Sequence, residues 1–108
     1  MAVNYRLHTN RARAAWPYLV ALASRRAEPI SYKEISNEIG VHWRAAAWFL
    51  GIIQRYCDRE GLPRLQALAV NAKRKVPGGG YEGERTPEEH LEELGRVYAY
   101  AWPRKAPF

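Results

Sequence analysis

Cysteine is almost missing from this chain. Cys57 is the only one in 108 residues, so no intramolecular disulfide can form, and a cytosolic address is the expectation. No run approaches the roughly eighteen apolar residues that a membrane span needs, and the opening Met1-Ala-Val-Asn-Tyr-Arg lacks the apolar core of a signal peptide. Histidine is also sparse. His8, His42 and His90, like Cys57, stand without metal-ligand spacing and read as surface or packing residues, so neither metal nor cofactor is expected. Cys57 has no neighbour that would activate it and reads as a small apolar group. Gly78, Gly80 and Gly83 have the spacing of a dinucleotide fingerprint, but Glu82, Glu84 and Pro87 follow where a phosphate-binding helix would have to open. The carboxylates Glu88, Glu89, Glu92 and Glu93 read as a solvated helix face. No catalytic constellation stands out.

Acidic residues are scarce where basic ones gather. Residues 1–75 hold thirteen Lys or Arg against five Asp or Glu, a balance of +8, and the remainder carries −2, which together make the net +6. A basic body of this kind suits a phosphate backbone, because each neutralised phosphate releases counterions. With 47% hydrophobic residues the chain can form one modest core, and a single domain spanning residues 1–108 is expected.

The best-specified stretch is 31–61, which reads as a helix-turn-helix. Ser31 with Glu34 forms a capping box, and Ile30 and Ile35 stand at the staple positions, so a short helix should begin at Tyr32. Ile35 and Ile39 share its inner face, Lys33, Asn37 and Glu38 face water, and Gly40 should follow its end. After the turn, Ala45, Trp48, Phe49, Ile52, Ile53 and Tyr56 make an apolar stripe on a second helix running from Trp43 to about Arg59, stopped by Gly61-Leu62-Pro63. Ala47, Gly51 and Gln54, flanked by Arg44 and Arg55, lie opposite that stripe. Small residues there would let a partner approach closely.

Upstream, residues 10–27 should form a helix capped by Thr9 or Asn10 that buries Trp16, Leu19, Val20 and Ala23. Pro17 predicts one helical turn before it and the main helix after it. Arg11, Arg13, Arg25 and Arg26 are left for solvent or phosphate. Downstream, Leu65–Asn71 reads as a strand, Ala72-Lys73-Arg74-Lys75 as a basic tip, and Val76–Tyr81 as a glycine-rich return. The order matches a mainly α winged helix with a small β-hairpin wing. A final helix over 86–102, opened by Thr86-Pro87-Glu88-Glu89, carries a stripe of Leu91, Leu94, Val97 and Tyr98. Trp102-Pro103 should stop it, and Arg104–Phe108 is left as a loose or docked tail.

From Trp16 to Gly83 the sequence resembles the DNA-binding domain of alkylguanine-DNA alkyltransferases and the non-catalytic alkyltransferase-like proteins. The resemblance is carried by Ile30-Ser31-Tyr32-Lys33-Glu34-Ile35, Arg44-Ala45-Ala46-Ala47 and Gly79-Gly80-Tyr81-Glu82-Gly83. It implies that Tyr32 helps rotate a nucleotide, that Arg44 fills the gap left in the duplex, and that Tyr81 lines a base pocket. It also implies a recognition helix laid in the minor groove, where small residues such as Ala47 fit. The family's reactive Pro-Cys-His-Arg motif should fall on the segment Leu65–Asn71, which has no cysteine, histidine or arginine, so alkyl transfer is not expected. The second helix also continues through Gln54–Glu60, where the family would turn back.

Two readings of different class follow. The first is a non-enzymatic protein that binds duplex DNA through Tyr32, Lys33, Trp43, Arg44, Ala47, the basic wing Lys73-Arg74-Lys75, and Tyr81. The second is a protein-interaction module, such as an immunity, inhibitor or defence-associated factor, that displays Trp43, Leu50 and Tyr81 as anchors.

Overall fold

The computed structural model describes residues 5–71 and 86–108. Its described part is mainly helical with one small parallel sheet. The helices are α1 (Tyr5–Ser24), α2 (Tyr32–Glu38), α3 (Ala46–Glu60) and α4 (Pro87–Ala99), and the strands are β1 (Ile30–Ser31) and β2 (Ala69–Val70). Single 3-10 turns, Trp43–Ala45 and Leu65–Leu68, lead into α3 and β2. Among the described residues no helix is long and apolar enough to cross a membrane.

The helix ends follow local chemistry. The Ser31 hydroxyl accepts the Glu34 amide at 3.0 Å while the Glu34 carboxylate accepts the Ser31 amide at 3.4 Å, so α2 starts on the expected capping box. The Thr86 hydroxyl accepts the Glu89 amide at 3.1 Å in the same way at the head of α4. Three helices also share one kind of C-terminal end, in which a left-handed residue sends the next amide back to the last turn. Gly40 (φ 73) and Gly61 (φ 67) do this after α2 and α3, with Val41 and Leu62 donating to Ser36 and Cys57. After α1 the left-handed position is Arg26 (φ 52), and Ala27 donates to Leu22 at 2.9 Å.

Long-range packing changes three expectations. α1 begins at Tyr5 rather than near residue 10, ends at Ser24 rather than 27, and runs through Pro17, which lies on an exposed side of the helix. Its buried face is the expected Trp16, Leu19, Val20 and Ala23, joined by Ala12, Ala15 and Leu22. The stretch Leu65–Asn71 is a strand only at Ala69–Val70, because Leu65–Leu68 tighten into a turn whose four residues are all buried. β2 pairs in parallel with β1, Ile30 opposite Ala69 and Ser31 opposite Val70, so the described sheet is not a hairpin. The basic tip and the glycine-rich return lie outside the described residues.

α1 and α3 form the largest helix–helix contact, and the Leu65–Val70 segment fills the space beside them. The tail is docked. The Trp16 indole donates to Pro103 O at 2.7 Å, Arg13 Nε donates to Phe108 O at 2.7 Å, and the rings of Trp102 and Phe108 meet Trp16 edge-on at 5.7 and 5.6 Å. Edge-to-face aromatic pairs contribute about 0.5–1.5 kcal/mol each beyond the area they bury. Arg13 stays exposed, as expected, with its guanidinium bonded to the tail.

α4 keeps Leu94, Val97 and Tyr98 of its expected stripe against the core and loses only Leu91. It ends at Ala99 rather than 102 and buries His90, Glu93, Leu94 and Val97, while Leu91 is 68% exposed. Glu93 is therefore no part of a solvated acidic face. Its carboxylate accepts the Arg64 amide at 3.3 Å, which ties α4 to the loop after α3, and Arg96 Nε of the same helix at 2.7 Å.

Candidate nucleic-acid interface

The exposed surface of the helix pair starts where the 3-10 turn Trp43–Ala45 feeds α3. The His42 imidazole accepts the Arg44 amide at 3.1 Å through Nδ1 and caps that turn. The cap sets Trp43 and Arg44 outward: Trp43 is 51% exposed, and the Arg44 guanidinium lies over its ring at 5.6 Å from the centroid. His42 meets the Trp43 ring with centroids 5.4 Å apart. Rings held in this way present a flat, cationic edge to solvent.

Further along α3, Ala47 and Arg55 are exposed and Gly51 is half-buried, as expected opposite the core, whereas Gln54, expected beside them, is buried. A Cβ built on Gly51 would meet only the Arg55 guanidinium at 3.5 Å. On α2, Lys33 is exposed and Tyr32 is half-buried against the core. Among the described residues no carboxylate forms an ion pair with Lys33, Arg44 or Arg55. The structure thus brings Trp43, Arg44 and Ala47 onto one continuous stretch at the head of α3. Lys73, Arg74, Lys75 and Tyr81 lie outside the described residues.

The core face of α3 is turned by roughly a quarter of a helical turn from the expected stripe. Phe49 and Ile53 are buried as expected, but they are joined by Ala46, Leu50, Gln54 and Cys57, while Ala45, Ile52 and Tyr56 are only half-buried and Trp48 is 47% exposed. The cause is what covers the helix. The Leu65–Leu68 turn packs on the flank that holds Gln54, and Gln66 Nε2 donates to Gln54 Oε1 at 3.4 Å, which lets an amide sit inside. Leu50 is consequently part of the core and not a displayed anchor.

Trp48 is the exposed ring of α3 that periodicity assigns to the core instead. His8, from the first turn of α1, stacks on it with ring centroids 5.4 Å apart and planes 16° from parallel. Burial, helped by the charge of Arg11, holds the His8 imidazole below its ordinary pKa. The sequence did carry a signal, since Trp48 follows Arg44 by four residues and so shares its side of a helix. At the opposite edge of α3, Cys57 is fully buried and its thiol is pushed up to about 11 by burial, far from any nucleophilic use. Among the described residues no group of His, Cys, Asp or Glu gathers that could hold a metal ion. Comparison with family models, with curated proteins and with solved structures finds no match for the chain.

Proposed function

We propose that this chain is a non-enzymatic DNA-binding protein of the alkyltransferase-like winged-helix type, gripping duplex DNA with the exposed face of α3, Lys33 of α2 and the basic segment Lys73-Arg74-Lys75. The observation that carries this reading is the grouping of Arg44, in the turn that feeds α3, with Ala47, Gly51 and Arg55 along one side of that helix, neither arginine having an acidic partner among the described residues. Small side chains admit a close-lying groove, and unpaired guanidinium groups supply charge for phosphates on either side. Tyr32 and Arg44 stand at the heads of α2 and α3, the positions where the resemblance puts a nucleotide-rotating tyrosine and a gap-filling arginine. The reading includes no alkyl transfer, because Leu65–Asn71 carries no acceptor cysteine.

A salt titration tests it. The logarithm of affinity for a short duplex should fall linearly with the logarithm of salt concentration, and neutralising Lys73, Arg74 and Lys75 together should flatten that slope by up to about three units. Absence of duplex binding at low salt would sink the reading.

A protein-interaction module is the second reading, and the exposure of Trp43 and Trp48 favours it, since tryptophan is enriched among interface anchors. A partner held by those rings would bind with little dependence on salt. The same titration therefore separates the two.

A further inference from the structure

The four tryptophans divide in two. Trp16 is fully buried and Trp102 half-buried, both in the aromatic cluster under the tail, whereas Trp43 and Trp48 flank the start of α3 with about half their surface in solvent. Neither exposed ring is loose. Trp48 is backed on one face by His8, and Trp43 is held by the Arg44 guanidinium and the His42 ring. His8 keeps this position although its Nδ1 is buried without a hydrogen-bond partner among the described residues. An imidazole nitrogen given up in that way is a cost that a merely solvent-facing tryptophan does not require.

A ring stacked on one side and open on the other is suited to accept a second flat ring. What surrounds it selects the chemistry. Arg44 lies four residues before Trp48, Arg55 lies further along the same side of α3, and neither has an acidic partner among the described residues. An aromatic face with cations beside it fits a base with its flanking phosphates, whereas an apolar protein anchor would meet guanidinium groups.

We propose that the open face of Trp48, backed by His8, is a stacking platform for an unpaired base, with Trp43 as a second ring, so that the ligand of the helix pair is DNA carrying unpaired bases beside a duplex. This rests on the reading of α3 as the DNA-binding face and names the substrate class of that face. Bases in a continuous duplex cannot offer their π-faces to the ring, but an overhang or a frayed end can.

The test compares a blunt duplex, the same duplex with a short oligothymidine overhang, and the bare single strand by fluorescence anisotropy. The overhang should tighten binding of the full chain by about tenfold or more. Trp48→Ala should abolish that gain, costing far more affinity on the overhang than on the blunt duplex, and Trp48→Phe should restore part of it. Tryptophan emission should be quenched by the overhang in the parent protein and much less in Trp48→Ala. Equal affinity for blunt and overhanging duplex overturns the proposal while leaving duplex binding intact. So does an equal loss on both ligands in Trp48→Ala with an unchanged melting temperature. Bare single strand bound as tightly as the overhang removes the duplex from the assignment and overturns it too. If neither duplex binds, the reading of α3 falls with it.

Discussion

Nε2 of His90 lies 2.8 Å from the carbonyl oxygen of Ala67, and both residues are buried. The contact links the first turn of α4 to the turn that precedes β2. With the bonds from Arg64 and Arg96 to Glu93, it gives α4 a polar seam as well as an apolar one. A carbonyl accepts only, so the imidazole donates through Nε2.

Removing that donor should be felt in stability. His90→Ala is expected to cost about 1–3 kcal/mol, because a buried carbonyl loses its partner. Leu91→Ala, one residue on and mostly exposed, should stay within about 0.5 kcal/mol of the parent. Denaturant midpoints at fixed slope decide the matter, and a larger loss at Leu91 than at His90 would mean that the assigned face of α4 is wrong.

The same logic ranks two neighbouring isoleucines of α3. Ile53 is fully buried and Ile52 only half-buried. Ile53→Ala should cost about 2–5 kcal/mol, with Ile52→Ala clearly below it. The sequence stripe alone gives both residues the same cost, so equal losses would support the stripe over the packing described here.

Those two residues mark where sequence reasoning stops. Ser31 with Glu34, Gly40, Gly61 and Thr86-Pro87 announce their helix ends because each cap is closed by atoms a few residues away. The side of α3 that is buried depends instead on the first turn of α1, the Leu65–Leu68 turn and the docked tail, none of which is local to it. In sequence Gln54 reads as a surface residue, but Gln66 gives it a partner inside; Trp48 reads as core, but His8 meets it outside. Arg26 ends α1 in a backbone region where glycine is the usual signal, so that boundary carried no mark. The parallel pairing of β1 with β2 was hidden for a further reason: strands of two residues are too short to show alternation.

Cys57 should behave as a core atom. Its thiol, raised to about 11 by burial, has almost no thiolate at neutral pH. Labelling by a thiol reagent should therefore be slow in the native protein and should accelerate in step with unfolding as denaturant is added. Rapid labelling without denaturant would show that this end of α3 opens locally.

His8 makes a pH prediction with a definite sign. Its folded pKa lies below the unfolded value of about 6.5 through burial and the Arg11 charge, so the folded state binds its proton less readily than the unfolded chain. The stacked neutral form contributes its full stability above about pH 6.5, and that contribution is lost as pH falls through the folded pKa. An NMR titration of the His8 ring should give a midpoint below 6.5, and His8→Phe should flatten the acid limb of the melting-temperature profile between that midpoint and pH 6.5. A midpoint above 6.5 would contradict the packing of His8 on Trp48.

Arg44 separates positioning from base recognition. An arginine that fills the space of an extruded base should matter most on duplexes that open cheaply, so Arg44→Ala would weaken binding to a mismatched duplex more than to an intact one. The structure holds the guanidinium over the Trp43 ring, and His42 caps the turn beneath it, which places the charge beside the helix rather than extended beyond it. The Leu65–Leu68 segment, where the resemblance would put a base pocket's reactive strand, is packed into the core. An equal loss on both duplexes is therefore expected, with the salt slope flattened by about one unit as one phosphate contact disappears. The emission of 2-aminopurine placed opposite a mismatch checks extrusion directly. A strong rise on adding protein that vanishes in Arg44→Ala would show that the arginine enters the stack, and the phosphate role would have to be abandoned.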